Sequence, residues 1–134
     1  MTETNVPADL SYTAEHEWIR PVSPTSVRVG ITDFAQDQLG DIVFVTLPEV
    51  GTEIVAGESF AEIDSPKSTN EIFGPISGTV SAVNDELEST PDLVNSEPYD
   101  SGWLVEIAVD DAADLDSQLA DLLDADGYRD VIAD

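Results

Sequence analysis

Residues 59–83 read SFAEIDSPKSTNEIFGPISGTVSAV, a stretch that alternates strand-like and turn-like composition. Three runs rich in β-branched and aromatic residues favour short strands. They are Ser59 to Asp64, Asn70 to Phe73 and Thr79 to Val83. Pro66 in the first connection, and Pro75 between two glycines in the second, are typical of turns. The stretch therefore predicts consecutive hairpins, and Lys67 lies in the first turn.

The rest of the chain continues this pattern of short strands. Further strand candidates are Glu17 to Arg20, Val27 to Ile31, Asp41 to Leu47, Thr52 to Val55 and Trp103 to Val109. We expect the apolar run Asp41 to Leu47 to be largely buried. Turns are predicted at Pro21 to Pro24 and at Pro48 to Gly51. Many short strands with turns between them predict a mainly β fold, a sandwich or flattened barrel with helical additions.

Helical patterns are confined to a few segments. Thr32 or Asp33 is a candidate N-cap of a short helix that buries one face and ends at Gly40. Residues 110–134 form an acidic C-terminal helical segment, in which leucines recur at helical spacing. We expect Gly127 to break this helix.

The composition limits the domain organisation and the class of function. A chain of 134 residues suits one domain, residues 1–134, with a flexible N-terminus over residues 1–10. Four Lys and Arg residues against 29 Asp and Glu residues give a net charge of −25. Such a surface repels nucleic acid and anionic membranes, so neither is an expected partner.

Cysteine is absent and His16 is the only histidine. Thiolate chemistry, disulfides and metal sites built from cysteine or clustered histidine are therefore excluded. No apolar run reaches membrane-spanning length, and no signal or transit peptide is recognisable. The expected location is the cytoplasm.

Lys67 is the only lysine of the chain. The segment Ser65-Pro66-Lys67-Ser68 favours a type I turn with Lys67 in its third position, which would present the side chain at a hairpin tip. Acylation needs the neutral amine, and acidic neighbours such as Glu62 and Asp64 favour its charged form. We interpret Lys67 as an attachment handle rather than a catalyst; the competing interpretation is a charge partner for Asp64 or Glu62.

Motifs that match a known family occur in order along nearly the whole chain. They are Tyr12-Thr13 with His16-Glu17-Trp18, the run Val29 to Val45, Leu47 to Gly51, Glu62 to Gly78, Asn95 to Tyr99 and Gly102 to Leu104. In these motifs the chain resembles the H protein family of the glycine cleavage system. Asp64 and Pro66 depart from the family pattern, which has a glutamate and an apolar β-branched residue at these places.

The resemblance implies a fold, a cofactor and a set of partners. The fold would be a barrel-sandwich hybrid of two small sheets with flanking helices, and lipoic acid would be attached covalently to Lys67 by a lipoylating enzyme. A pyridoxal-phosphate glycine decarboxylase would load the arm with an aminomethyl group. A tetrahydrofolate-dependent aminomethyltransferase would accept that group, and an FAD-dependent dihydrolipoamide dehydrogenase would reoxidise the dithiol. The H protein itself would be a carrier without catalytic residues.

The loaded arm would also need a place to dock. Its amine should be cationic near neutral pH and prone to hydrolysis, so a cleft with carboxylates would protect it. By resemblance, Glu17, Glu71 and His16 are the candidates for arm docking. With 29 acidic residues in the chain, ordinary surface acid is the competing interpretation of Glu17 and Glu71, and a structural role is that of His16.

Other functions stay open at this point. An H-like lipoyl relay, which would donate lipoyl groups to other enzymes, keeps the family and changes the role. A biotinyl carrier would place methionines on both sides of the lysine, whereas Met1 is the only methionine here. The lipoyl domain of a 2-oxoacid dehydrogenase would not explain the run Val29 to Val45. An unmodified interaction protein would leave the lone lysine unexplained.

The net charge generates a first prediction. Self-repulsion of 29 carboxylates destabilises the folded state in dilute buffer, and concentrated ions screen it. We expect the urea midpoint of unfolding to rise clearly between dilute buffer and molar KCl, as for a protein adapted to high salt. Equal stability in both conditions would contradict this interpretation.

Overall fold

The computed structural model describes residues 6–66 and 68–132 of the chain. Within these ranges the chain forms nine short strands and five short helices. The strands are β1 Ser11–Tyr12, β2 Glu17–Ser23, β3 Ser26–Ile31, β4 Phe44–Thr46, β5 Glu53–Ile54, β6 Ser59–Ser65, β7 Ser68–Phe73, β8 Gly78–Val83 and β9 Val105–Ala108. The helices are α1 Asp33–Leu39, α2 Glu86–Ser89, α3 Leu93–Ser96, α4 Ala112–Ala120 and α5 Ala125–Ile132.

The strands form two antiparallel sheets. The larger sheet has the order β1-β2-β3-β9-β8-β5, and the smaller sheet has the order β4-β6-β7. The chain leaves the smaller sheet at Phe73 and enters the larger one at Gly78, through the turn predicted there. The prediction of a mainly β fold of two small sheets is confirmed.

One apolar core contains residues of both sheets. Val45 and Ile63 come from the smaller sheet, and Val29 and Ile107 from the larger one; none is more than 5% exposed. Burying an aliphatic side chain of this size stabilises a fold by about 1.5–3 kcal/mol. Because side chains alternate along a strand, the residues next to Val45 and Ile63 point away from the core.

A second cluster joins the N-terminal part of the chain to α5. Its buried members are Val6, Leu10, Tyr12, Trp18, Ala125 and Tyr128. Trp18 lies against Gly30, its register partner in β3, and a Cβ at Gly30 would be only 2.6 Å from the indole ring. The sequence predicts a flexible N-terminus over residues 1–10. Residues 1–5 lie outside the described ranges, and Val6 and Leu10 are buried in this cluster.

The helix α1 forms as predicted from its two ends. The Thr32 side chain accepts a hydrogen bond from the Ala35 amide at the N-terminus. Gly40 closes the C-terminus with a φ of 81°, which glycine adopts at low cost. Ala35 and Leu39 pack against the core but are only partly buried. None of the described helices is long and apolar enough to cross a membrane.

The prediction of a largely buried strand over Asp41 to Leu47 is wrong. Only Phe44–Thr46 forms a strand, and Val43 and Phe44 are 53% and 55% exposed. The physical reason is that β4 is an edge strand that pairs only with β6. Ile42 and Val45 are buried, while Phe44 points to the other side.

The turn predicted at Pro21 to Pro24 is shorter and lies later in the chain. β2 continues through Pro21 to Ser23, and the pairing with β3 shifts its register between these two residues. Proline lacks the amide that a central strand must donate. Pro21 is tolerated in β2 because β1 pairs with β2 only at Trp18 and Ile19. On that side Pro21 lies at an unpaired edge of the sheet.

The C-terminal segment is helical as predicted, but it is divided differently. Gly127 lies inside α5 instead of ending a helix, and the break falls between Ala120 and Ala125. The reason is that Leu123 exchanges two backbone hydrogen bonds of 2.8 Å with Tyr12 of β1, which takes Leu123 out of the helical ladder. Asp124 then accepts a hydrogen bond from the Gly127 amide and starts α5.

Candidate functional site

The hairpin of β6 and β7 ends in a two-residue connection. Ser65 and Ser68 are register partners, and their hydroxyl oxygens lie 3.2 Å apart. The two residues between them in the sequence are Pro66 and Lys67. Lys67, the predicted attachment handle, lies outside the described residues, so its side-chain presentation stays a prediction.

The hairpin carries acidic residues on the face turned away from the core. Glu62 and Glu71 are direct cross-strand partners, and Asp64 is paired with Phe44 on one side and Thr69 on the other. These three acidic residues form a negative surface on the hairpin that contains Lys67. Like charges placed directly opposite each other, as Glu62 and Glu71 are, destabilise a sheet.

A cleft of about 300 Å³ opens where the turn between β1 and β2 meets the end of β7. Its walls are Thr13, Glu15, Glu17, Ala56, Gly57, Phe73, Gly74 and Pro75. One wall comes from the larger sheet and the opposite wall from the smaller sheet and the segment before β6. The cleft thus combines apolar side chains with two carboxyl groups.

Glu17 is buried at the bottom of this arrangement and is only 1% exposed. Its Oε2 accepts a hydrogen bond of 2.8 Å from the Phe73 amide, and its Oε1 accepts one of 3.3 Å from the Thr13 hydroxyl. Burial raises the pKa of the Glu17 carboxyl from 4.5 to about 8, although both hydrogen bonds act in the opposite direction. The carboxyl is therefore mostly protonated at neutral pH when the cleft is empty.

His16 points away from the cleft, in contrast to its neighbour Glu17. Its Nδ1 lies 2.9 Å from the Tyr128 hydroxyl, and its ring lies 5.1 Å from that of Phe34. Burial lowers the pKa of His16, which keeps the ring neutral at pH 7. His16 is not among the residues that line the cleft, and its predicted part in arm docking stays a prediction.

Glu71 lies on β7 between the hairpin turn and the cleft. It is exposed, and it shares a face of the strand with Phe73, two residues on. Glu71 does not line the cleft either. Of the three predicted docking candidates, Glu17 lines the cleft, and Glu71 lies on β7 two residues before Phe73.

Sequence reasoning missed most of the cleft walls. Phe73, Pro75 and the Ala56-Gly57 segment come together only in the folded chain. Two glycines gave a usable signal: Gly57 has a φ of 86°, and a Cβ at Gly74 would lie 2.7 Å from the Val55 carbonyl oxygen. Glycines on both sides of a lysine hairpin thus mark where the backbone must turn tightly or pass close to itself.

The raised pKa of Glu17 predicts a pH-dependent stability. Because the folded state holds this proton more tightly than the unfolded state, the contribution of Glu17 to the free energy of unfolding falls as the pH rises from about 4.5 to about 8. Glu17→Gln removes this dependence and keeps an acceptor for the Phe73 amide. Between pH 5 and pH 8 we expect the variant to gain roughly 3–4 kcal/mol relative to the wild type in urea unfolding.

Glu88→Gln is the control for the loss of one carboxyl group, because Glu88 is exposed in α2 and does not line the cleft. It should not reproduce the pH-dependent gain of Glu17→Gln. If the free energies of unfolding of Glu17→Gln and the wild type differ by the same amount at pH 5 and at pH 8, the raised pKa of Glu17 is wrong.

Comparison with known proteins places the chain in a family. The family model of the glycine cleavage H-protein matches residues 10–134. The glycine cleavage system H proteins of Mycobacterium avium (strain 104) and Mycobacterium leprae (strain TN) are each 58% identical to the chain over 126 residues, which covers 94% of it and 96% of each relative. A crystal structure of a glycine cleavage system H protein from Mycobacterium marinum superposes with a TM-score of 0.82 and 38% identity, over 93% of this chain and 97% of that one. The chain belongs to the glycine cleavage H-protein family.

Proposed function

We propose that this protein is the lipoyl carrier of the glycine cleavage system and that lipoic acid is attached to Lys67. The observation that carries the proposal is the hairpin of β6 and β7. Register pairing of Ser65 with Ser68 leaves only Pro66 and the sole lysine of the chain to connect the strands. Family membership supports the same role.

The cleft fits the end of a lipoyl arm. Phe73, Pro75 and Ala56 offer apolar walls of the kind that a hydrocarbon chain and a dithiolane ring prefer, and Glu17 offers one buried polar group. When bound, the lipoyl group supplies a disulfide that partner enzymes reduce while they load it with an aminomethyl group. The cleft residues contribute binding and the exclusion of water.

Glu17 would hold the cationic amine of the cargo. A cation within about 4–6 Å favours the charged form of a carboxyl group, so docking would drive the proton off Glu17 and leave an ion pair. The Phe73 amide and the Thr13 hydroxyl, which already contact Glu17, keep its oxygens in place. A buried pair of this kind shields the amine from water, which slows hydrolysis.

The path from handle to cleft runs along β7. The strand covers six residues, from Ser68 to Phe73, or roughly 20 Å at about 3.4 Å per residue. An arm that docks in the cleft would lie back along this strand, on the face that also carries Glu71. Glu71 is therefore proposed as a guiding carboxylate and Glu17 as the terminal one.

The partners would supply all catalysis. They are the pyridoxal-phosphate glycine decarboxylase, the tetrahydrofolate-dependent aminomethyltransferase, the FAD-dependent dihydrolipoamide dehydrogenase and a lipoylating enzyme. The chain has no cysteine, and the titratable groups that line the cleft are Glu15 and Glu17. The buried Glu17 carboxyl can bind and protect a cation, whereas transfer of the one-carbon unit needs the partners' cofactors. The cytoplasmic location stays a prediction.

The attachment site is tested by intact mass and peptide mapping of the protein purified from its native host. We expect a mass increase of one lipoyl group on the Lys67 peptide. Lys67→Arg, which keeps the charge but cannot be acylated in this way, should lack the increase and the ability to support glycine cleavage. An unmodified Lys67 in cells growing on glycine would overturn the carrier role, and a biotin-sized increase would assign a different cofactor.

The docking role is tested by the lifetime of the aminomethyl group on the lipoylated protein. Glu17→Gln should speed its loss by about tenfold or more, since a lost charge-assisted hydrogen bond is worth roughly 1.5–3 kcal/mol. Glu71→Gln should have a smaller effect in the same direction, and Glu88→Gln, which removes an exposed acid of α2 outside the cleft, serves as the control. Lipoylation should be normal in all three variants. Unchanged decay in both Glu17→Gln and Glu71→Gln would refute the docking role.

A further inference from the structure

A chain of side-chain hydrogen bonds links the C-terminal helix to the turn that carries Glu17. The Tyr128 hydroxyl of α5 lies 2.6 Å from Oγ1 of Thr32 and 2.9 Å from Nδ1 of His16. Thr32 Oγ1 also accepts the Ala35 amide and so caps α1. One hydroxyl group therefore connects α5, the start of α1 and the turn between β1 and β2.

Tyr128 is packed on all sides in this position. It is fully buried, and its ring stacks on that of Tyr12 with 4.8 Å between the centroids. The Tyr12 hydroxyl bonds to the Pro7 carbonyl and has no bond to His16. The two tyrosines thus pack alike but differ in what their hydroxyl groups contact.

His16 has an unusual backbone conformation. Its φ of 71° is the one positive value among the non-glycine residues of the described ranges. The left-handed region costs an L-residue roughly 1–2 kcal/mol, and such a conformation persists only where the surroundings enforce it. Two backbone bonds help: the His16 amide donates to Thr13, and the His16 carbonyl accepts from the Thr32 amide.

The conformation of His16 sets the direction of the next residue. Glu17 follows it directly and turns its carboxyl inward to the Phe73 amide, while the His16 ring turns outward to Tyr128. A relaxed turn with His16 at negative φ would redirect the chain at this point. The Glu17 carboxyl would then lose its place at the bottom of the cleft.

We propose that Tyr128 is a positioning residue, whose hydroxyl holds His16 in the left-handed conformation and thereby keeps the Glu17 carboxyl on the Phe73 amide. The C-terminal helix α5 is in this way part of the machinery of the cleft, although no residue of α5 lines it. The effect of Tyr128 on cargo retention rests on the proposed function. Its effect on Glu17 does not.

The first test is a titration of Glu17 by NMR in the full-length protein with labelled glutamate side chains, before lipoylation. Tyr128→Phe keeps the stacked ring and removes the hydroxyl; Tyr12→Phe is the matched control from the same stack. Release of the turn admits water to Glu17, so we expect its pKa to fall by about one unit or more in Tyr128→Phe. The control should leave it unchanged. Equal behaviour of the two variants would overturn the proposal.

The variant His16→Gly distinguishes an effect through His16 from a general weakening of the fold by Tyr128→Phe. Glycine occupies positive φ without steric cost, so a turn with His16→Gly does not need the Tyr128 hydroxyl. In the His16→Gly background, Tyr128→Phe should leave the Glu17 titration unchanged. A shift of the same size as in the parent would show that Tyr128 does not act through His16.

The lifetime of the aminomethyl group on the lipoylated protein separates this proposal from the proposed function. Faster loss in Tyr128→Phe, together with a shifted Glu17 titration, supports both. A shifted titration with an unchanged lifetime supports the positioning role and contradicts docking on Glu17. An unshifted titration overturns the positioning role, whatever the lifetime.

Discussion

The hydrogen bond from the Phe73 amide to the Glu17 carboxyl ties the two sheets together at a buried point. Glu17 begins β2 in the larger sheet, and Phe73 ends β7 in the smaller one. A buried amide without an acceptor costs roughly 1–3 kcal/mol, so the carboxyl is a structural requirement at this junction. Burial there also keeps the acid protonated. The hydrogen bond that joins the two sheets therefore also holds a buried acid in the wall of the cleft.

Glu17 stands apart from the rest of a very acidic surface. Among the described residues it is the acidic side chain that is buried, and two ion pairs are present: Arg28 with Glu106 at 2.7 Å and Arg129 with Asp126 at 2.8 Å. The Arg129–Asp126 pair is exposed, and such pairs contribute about 0–1 kcal/mol. The Arg28–Glu106 pair is partly buried, with side chains 32% and 21% exposed. Ions in the solvent, rather than partners within the protein, must offset most of a charge of −25.

Caps, prolines and glycines in the sequence correctly predicted structure formed by neighbouring residues. Thr32 and Gly40 fixed both ends of α1, and the prolines and glycines around Lys67 predicted its hairpin and the following turn. The sequence-based predictions were wrong where contacts between distant parts of the chain determine the structure. Phe44 is exposed because its strand has no neighbour on one side, and the C-terminal helix breaks because Leu123 pairs with Tyr12. Most cleft walls were missed for the same reason: they meet only through long-range packing.

A carrier must meet two demands that one position cannot satisfy. The handle has to reach several active sites, which requires exposure, and the cargo has to be kept from water, which requires burial. In the proposed carrier role, these demands are separated along one strand: β7 begins at Ser68, on the hairpin of the sole lysine, and ends at the buried contact of Phe73 with Glu17. Because β7 pairs with β6 over its length, the distance between the two ends is fixed by the sheet. In the proposed docking role, a residue that fixes the orientation of Glu17 also fixes where the arm would end, even when that residue lies on a helix outside the cleft.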